Sequence, residues 1–413
     1  MSNWTPDWAL SIDGGSYKSV TLANLTMTSG RTDIYQQPVA GYCTVEIINT
    51  NQSAVAIEIN DSFALQVKDS TGTLKPIFGG FVTDINQSVR TAGSSAIVQS
   101  FTVTALGALS KLPKILTEGV LSKDFDGDQI YSILSGILFN TWNEVPAATT
   151  WATYDATETW ANAQNSGLGE IDQPGDYELA ARSTSVTDVY SLVAALATSG
   201  AGYLYEDAQG RISYADSTHR SEYLALNGYR ELTGNHALGR GISTSRRLGD
   251  IRNKVTITYK NNAQETAEDL VSQTAYGTQA QNITTSIENG ADATAQANFY
   301  LALRAYPQSL FKSITFELTN PEIDDSDRDA LLGAFMGLPV DITNLPANMT
   351  GGRFQGFVEG WTFSAGFNKL QITLNVSPIA FSLQAFKWTN VPIGETWNTI
   401  NPLLDWTNAT IVA

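Results

Sequence analysis

Residues that could carry catalysis are few in this chain, and none lies in a recognised catalytic pattern. Of the two histidines, His219 is next to Arg220, and His236 lies in the glycine-rich stretch ELTGNHALGRG. Neither has a second histidine at the spacing of a zinc site, and the sequence contains no HExxH, GxSxG, P-loop or GxGxxG motif. We therefore predict no enzyme activity, no metal and no cofactor, and we interpret both histidines as surface or loop residues.

Two acidic clusters could bind a metal ion or begin a helix. The alternating aspartates of DFDGDQ, at 124–129, are similar to the first half of an EF-hand loop. A complete loop needs a glycine at its sixth position and a glutamate at its twelfth, whereas here Gly127 is fourth and Ser135 is twelfth. We expect this cluster, through Asp126 or Asp128, and DDSDRD at 324–329, to cap helices.

The number of cysteines and the net charge exclude further kinds of site and of protein. Cys43 is the only cysteine, which rules out an intrachain disulfide and a thiolate metal cluster, and the alternation in GYCTVEIIN predicts that it is buried on a strand. The chain has 24 basic and 41 acidic residues, a net charge of −17, whereas binding to nucleic acid requires a basic patch. No apolar stretch reaches the length of a membrane helix, so we expect no membrane insertion.

Six of the nine tryptophans form two triplets with a spacing of nine residues. These candidate partner-docking residues are Trp142, Trp151 and Trp160, and Trp388, Trp397 and Trp406. A period of nine fits a repeated strand and turn, which could align the indole rings in a row. Three interpretations stay open: a surface that docks another protein, a small local core, or platforms that bind sugars.

The elements that would position these residues change type along the chain. Alternating apolar and polar residues with frequent turns predict short strands over the first hundred residues, as in a barrel or sandwich. After Leu106 the pattern becomes α+β: helices over 128–140 and 185–200, then a hairpin that turns at 207–210. From about Ile242 strands return, interrupted by a helix that ends before Pro307.

An internal repeat links the two β-rich parts. Residues 78–85 read FGGFVTDI and residues 354–361 read FQGFVEGW, and an alternating strand follows each, at 100–106 and 370–376. Repeats at long spacing indicate duplicated architecture. We interpret the chain as two related β-domains with an α+β insert between them. Three such subunits could make a ring of six equivalent positions.

Five segments, in this order, resemble the minor tail proteins of long-tailed bacteriophages. They are GRTDIYQQPVAGYCTVEIINTN, IFGGFVTDI, VTALGALSKL, GYLYEDAQGRISYADSTHR and DIRNKVTITY, and together they span most of residues 1–380. The resemblance extends to the two-barrel hub proteins of contractile phage baseplates and type VI secretion spikes. It implies a homotrimer that converts a sixfold tail tube to a threefold tip.

This resemblance and the patterns above predict a mainly β fold with two related β-barrel domains. The expected domains are a first β-barrel at 1–110, an α+β insert at 111–240, a second β-barrel at 241–380 and a Trp-rich C-terminal segment at 381–413. The resemblance implies a structural protein of the virion, a hub ring at the tail tip that is assembled in the host cytoplasm. Its expected partners are further copies of itself, the distal tail protein, the tape measure protein and other minor tail proteins, with phage DNA passing without specific binding.

Two other functions remain open. A peripheral tail protein that binds a receptor or carbohydrate would use the tryptophan segments against the host. A cell-wall glycosidase would need two carboxylates, which can be distant in sequence, and no spacing indicates such a pair.

Overall fold

The structure of the chain is a computed structural model. It describes residues 4–16, 18–34, 36–49, 55–92, 97–142, 168–239, 241–307, 310–349 and 352–378. Over these residues the fold is mainly β, with one large sheet and a few helices.

The described part of residues 1–106 contains seven strands, as its alternation predicts. They are β1 (Trp8–Ile12), β2 (Lys18–Val20), β3 (Leu22–Gly30), β4 (Tyr42–Asn49), β5 (Ser62–Lys68), β6 (Leu74–Ala92) and β7 (Ile97–Leu106). In β4, side chains at alternate positions are buried, which places Cys43, Val45 and Ile47 on the core side. Burial raises the pKa of the Cys43 thiol well above its usual value, so this cysteine is unreactive.

The middle of the chain contains the predicted helices and hairpin. After a 3₁₀ helix (Ala108–Lys114) come β8 (Leu116–Thr117), β9 (Asp124–Phe125), α1 (Asp126–Trp142), β10 (Leu168–Ile171), β11 (Glu178–Leu179), β12 (Thr187–Asp188), α2 (Val189–Ser199), β13 (Tyr203–Glu206), β14 (Ile212–Ala215) and α3 (His219–Asn227). Helix α2 is capped by Asp188, whose side chain accepts the Ser191 amide, and it ends at Gly200 as expected. Helix α3 has no counterpart in the sequence prediction.

The last part returns to strands. Its elements are β15 (Arg230–Thr233), β16 (Ser243–Ser245), β17 (Lys254–Tyr259), β18 (Ala263–Glu268), α4 (Leu270–Tyr276), β19 (Ala280–Thr284), α5 (Gly290–Arg304), β20 (Leu310–Glu317), α6 (Asp325–Leu332), β21 (Pro339–Thr343), β22 (Phe354–Gly366) and β23 (Lys369–Pro378), with 3₁₀ turns at Gly234–His236, Leu248–Asp250 and Lys260–Asn262. Helix α6 confirms the predicted cap, since the Asp324 side chain accepts the Asp327 amide at 2.7 Å.

Thirteen strands join into one sheet. Its order is β16-β20-β23-β22-β3-β4-β7-β6-β5-β1-β2, and β15 and β21 extend it beside β22. All neighbours are antiparallel except β15 and β21. No pairing among the described residues closes either half of this sheet into a ring, so the large open sheet is what the structure contains in place of two closed barrels.

The two halves of the sheet repeat one strand order. Strands β4 to β7 lie in the order β5-β6-β7-β4, and β20 to β23 lie in the order β21-β22-β23-β20. In β6 the pairing with β7 shifts directly after Val82, and in β22 the pairing with β23 shifts directly after Val358, so each strand has a bulge at the same place in the repeat. The repeated segments therefore occupy equivalent strands.

Two hydrophobic cores lie beneath these elements. One joins both halves of the large sheet, from Trp8 to Val376, and it includes Tyr203 and Tyr205 from the hairpin. The other joins α1 and α2 with residues from β17 and α5, among them Val255, Ile257 and Ala297. The segment 254–304 therefore packs with the insert. None of the helices in the described ranges combines the length and the apolar composition that a membrane span requires.

Candidate functional site

The tryptophan triplets lie outside the residues whose side chains the structure describes. Trp142 is the last residue of α1, and Trp151, Trp160, Trp388, Trp397 and Trp406 fall in ranges that are not described. Their proposed docking role stays a prediction.

Both histidines have carboxylate partners. His219 is 4% exposed, and its Nδ1 lies 2.7 Å from Asp172 Oδ2, so its interpretation as a surface residue was wrong. Burial opposes protonation, but Asp172 outweighs it and raises the His219 pKa to about 9. His236, which is half-buried, lies 2.9 Å from Asp327. His219 packs against the rings of Tyr203 and Tyr205, which is the environment of a structural ion pair.

The ligand atoms of His236, Asp324 and Asp327 lie within 4.8 Å of one another. Hydrogen bonding accounts for this arrangement, because Asp324 caps α6 and the Asp327 carboxylate accepts from His236 Nδ1. Nothing in the contacts of these three residues requires an ion.

Asp126 of DFDGDQ, which we expected to cap a helix, is the first residue of α1 and binds other parts of the chain. The carboxylate of Asp126, which is completely buried, accepts the amide of Tyr177 at 2.8 Å and the hydroxyl of Tyr214. It thereby joins the start of α1 to β14. Burial raises the Asp126 pKa to about 7, and the two hydrogen bonds only partly offset this effect.

A buried charged junction, which sequence reasoning missed, connects the three parts of the chain. At its centre is Glu359, the bulged residue of β22, which is 3% exposed. Arg220 from α3 donates to both carboxylate oxygens, with Nη1–Oε1 at 2.6 Å and Nη2–Oε2 at 2.9 Å. Arg31, directly after β3, donates from Nε to Oε2 at 2.8 Å, and Ser377 on β23 donates to Oε1 at 2.5 Å.

The electrostatics of this junction favour the ionised pair. Burial would raise the Glu359 pKa, but the guanidinium groups of Arg220 and Arg31 outweigh it and hold that pKa well below its usual range. Arg220 also lies over the Tyr203 ring, 4.4 Å from its centroid. One carboxylate thus fixes the first β-rich part through Arg31, the insert through Arg220 and Tyr203, and the second β-rich part through its own strand.

A second buried carboxylate attaches the hairpin to the first β-rich part. Glu206 at the end of β13 accepts the Gly41 amide at 2.6 Å and the Leu109 amide at 2.5 Å. Burial raises the Glu206 pKa to about 7. A Cβ atom at Gly107 would overlap the Glu206 carboxylate, which would then have to move away from its two amide donors.

The tip of the hairpin is in backbone contact with the sheet. Gly210 has φ +80°, and a Cβ at Gly79 on β6 would overlap the carbonyl group of Gln209. The buried pair Asp207 and Arg211, with Oδ2–Nε at 2.5 Å, holds the turn in shape. Together these contacts immobilise the hairpin against β6.

A cleft of about 280 Å³ adjoins the charged junction. Arg31, Gln37, Tyr203, Asp216 and Arg220 contribute to its wall. The two arginines are already bound to Glu359, and Gln37 bonds the Gly202 carbonyl and the Leu204 amide. The polar groups named here therefore hold the parts of this chain together, and none of them forms a nucleophile with an activating base.

The densest basic cluster of the sequence consists of Arg240, Arg246, Arg247 and Arg252, and its described members lie in different environments. Arg246 and Arg247 are exposed after β16, and Arg246 donates to the Pro307 carbonyl at 3.2 Å. Arg252 is half-buried and binds Gln281 and the Gly249 carbonyl, so it is used within the chain. Arg240 lies outside the described residues.

The comparisons with known proteins identify the fold. No protein-family model matches the sequence, and no curated protein matches it either. The structure is similar to the 43 kDa tail protein of prophage MuSo2 from Shewanella oneidensis, with a TM-score of 0.52, 12% identity, and coverage of 91% of this chain and 99% of that chain. It is also similar to the tail protein from Neisseria meningitidis MC58, with a TM-score of 0.53, 9% identity, and the same coverage of both chains. The chain therefore has the fold of phage tail proteins, and the resemblance found in its sequence is confirmed at that level.

Proposed function

We propose that this chain is a structural virion protein that forms the central hub ring at the tip of a phage tail. In this proposal it is a homotrimer and either continues or closes the DNA channel below the tail tube. Each subunit contributes two β-domains. The insert lies on the outside.

The observation that carries the proposal is the repeated strand order in the two halves of the large sheet. A subunit with two equivalent units can occupy two neighbouring positions of a sixfold ring, so three subunits match a sixfold tube. The fold shared with two tail proteins supports a role in the tail, and the charged junction around Glu359 supports a rigid subunit.

The proposed partners follow from this position. The distal tail protein, the tape measure protein and other minor tail proteins would contact the ring, and the tryptophan triplets would dock one of them. DNA would pass without specific binding, since a net charge of −17 per chain disfavours contact with phosphate. We also propose that the chain has no catalytic activity, because the buried carboxylates named above bind groups of the chain itself.

Electron microscopy of phage particles labelled with an antibody against this chain tests the proposal. We expect label at the distal end of the tail tube, threefold density there, and the mass of a trimer for the purified protein. A label along the side of the tail, or on a projecting fibre, would contradict the hub and would favour the peripheral receptor-binding alternative.

A further inference from the structure

One edge of the large sheet has no partner strand in the described part of the chain. The outer edge of β6 is hydrogen-bonded as far as Val82, whose amide donates to the Asp61 carbonyl at 3.0 Å. From Asp84 to Ala92, β6 pairs only with β7 on its other side. Val89 on this segment is 56% exposed. An open edge of this length is a template for pairing with another strand.

The equivalent edge in the second half of the sheet is covered. On β22, the Val358 amide donates to the Leu338 carbonyl at 3.0 Å, just as Val82 does to Asp61. Beyond the bulge, however, β22 pairs with β3, with Gly360 opposite Gly30 and Gly366 opposite Asn24. There Phe363 is 1% exposed, whereas Gln87 at the equivalent position of β6 is exposed. Strand β3 thus shows what an occupant of the β6 edge looks like.

The counterpart of β3 in the second half is β16. Strand β3 lies beside β4, with Leu22 opposite Ile47. In the second half, Ala237, which precedes β16 in the chain, forms the equivalent bridge to Phe316 on β20. Further along, Ser243 pairs with Ser313 of β20. Strand β16 ends the sheet, so among the described residues its second edge has no strand beside it.

The repeat predicts the register in which a β16 strand would pair with the open edge of β6. Ile314 lies opposite Leu374 as Val45 lies opposite Val103, so Ser313 corresponds to Thr44 and its partner Ser243 corresponds to Thr26. Thr26 pairs with Ser364 on β22. The 276-residue offset between FGGFVTDI and FQGFVEGW makes Ser88 the equivalent of Ser364. Ser243 of the occupant would therefore lie opposite Ser88.

Charge agrees with this register. In the covered junction, Arg31 follows β3 and binds Glu359 at the bulge of β22. By the same register Arg247 and Asp84 correspond to Gly30 and Gly360, which are Cα partners in the covered junction, and both Arg247 and Asp84 are exposed. An antiparallel β16 on the β6 edge would bring this cation towards this anion.

We propose that the edge of β6 from Asp84 onward binds β16 of a second copy of this chain, in the geometry that β3 and β22 have within one chain. Each copy then has one such junction within its own chain, between β3 and β22, and forms the same kind of junction with its neighbours, between β6 and β16. Three copies close the ring. The proposal rests on the proposed hub function, because it names the surface through which the ring would form.

Cysteine cross-linking tests the register. In a Cys43→Ser background, the double variant Ser88→Cys/Ser243→Cys places cysteines at Cα partners of the expected pair, within the range of a disulfide. After mild oxidation we expect covalent dimers and trimers on a non-reducing gel. Thr26→Cys/Ser364→Cys is the matched positive control, since these Cα partners lie in one chain and should give a disulfide-bonded monomer. Ser19→Cys/Ser243→Cys, which uses the exposed β2 instead, is the negative control.

The outcomes separate the two levels of the proposal when the mass in solution is measured with the same samples. A trimer that cross-links through positions 88 and 243 supports the pairing. A trimer that does not cross-link there overturns the pairing and leaves the ring. A protein that stays monomeric and gives no cross-link overturns the pairing and also removes support for the hub.

Discussion

Arg220 and Glu359 form a two-pronged ion pair between the insert and the second β-rich part, although 139 residues separate them in sequence. Both side chains are almost completely buried. Arg31 approaches the same carboxylate from the first β-rich part. Because one anion balances two buried cations, its loss would affect the contacts of all three parts.

Replacement of this anion tests the junction. We expect Glu359→Gln to lower the free energy of unfolding by about 3–5 kcal/mol, because two guanidinium groups remain buried without a counter-charge. Chemical denaturation followed by tryptophan fluorescence measures this change. Glu268→Gln, which removes one partner of the exposed Lys254–Glu268 pair, is the control and should have little effect. Equal stability of the Glu359→Gln protein and the unaltered chain would show that the junction does not hold the parts together.

The junction was not predictable from the sequence by pairing rules, since its members come from distant segments. One signal was present: Glu359 is the only charged residue in the run FQGFVEGWTF, where both neighbouring positions read as strand core. A charge within such a run indicates a buried partner. By contrast, β4, β17 and the hairpin at 203–215 were predictable because local alternation and turn residues determine them.

Helices α3 and α4 were missed for a local reason. Both are short, and Thr218, the residue that precedes α3, makes no side-chain capping bond to the helix. The start of α3 is instead fixed by Asp216, which accepts the amides of Thr218 and His219. The two expected barrels are replaced by one open sheet because β3 pairs with β22, more than 300 residues away, and sequence periodicity does not encode such a pairing.

The raised pKa of Asp126 predicts a dependence of stability on pH. Its folded pKa of about 7 lies above the ordinary aspartate pKa of 3.8, so the folded state binds more protons between these values. The free energy of unfolding should therefore fall as the pH rises from about 4 to 7. Glu206, with a pKa raised to about 7, acts in the same direction.

Asp126→Asn removes the titrating group and keeps an oxygen that can accept the Tyr177 amide. We expect its unfolding free energy to fall less between pH 5 and pH 7.5 than that of the unaltered chain, as measured by urea denaturation at each pH. Asp124→Asn, at an exposed position, should retain the full decrease. An identical decrease in the Asp126→Asn protein would mean that this carboxylate is not the source.

Close packing of the hairpin on the sheet predicts the effect of a single methyl group. Gly79→Ala should destabilise the protein by about 1–3 kcal/mol, because the added Cβ overlaps the backbone of Gln209 and the hairpin must move. Gly136→Ala is the matched control: it lies on the exposed side of α1 with open space around it, and it should stabilise the helix by about 1 kcal/mol. The melting temperatures of both variants measure the difference. A Gly79→Ala protein as stable as the unaltered chain would place the hairpin tip away from β6.

Exchange of charges tests whether Asp84 and Arg247 meet between copies. Asp84→Lys should weaken association, because the lysine would face Arg247 of the neighbour across the junction, and Arg247→Glu should weaken it through the opposite pairing of two acids. The double variant restores an opposite pair, so its association should recover towards that of the unaltered chain. Sedimentation at several protein concentrations and at low and moderate salt measures this, and higher salt should reduce every difference. Glu118→Lys, an exposed change of the same sign in the insert, is the control for net charge. If both single variants and the control associate equally well, the two residues do not meet, and the edge of β6 is not the contact.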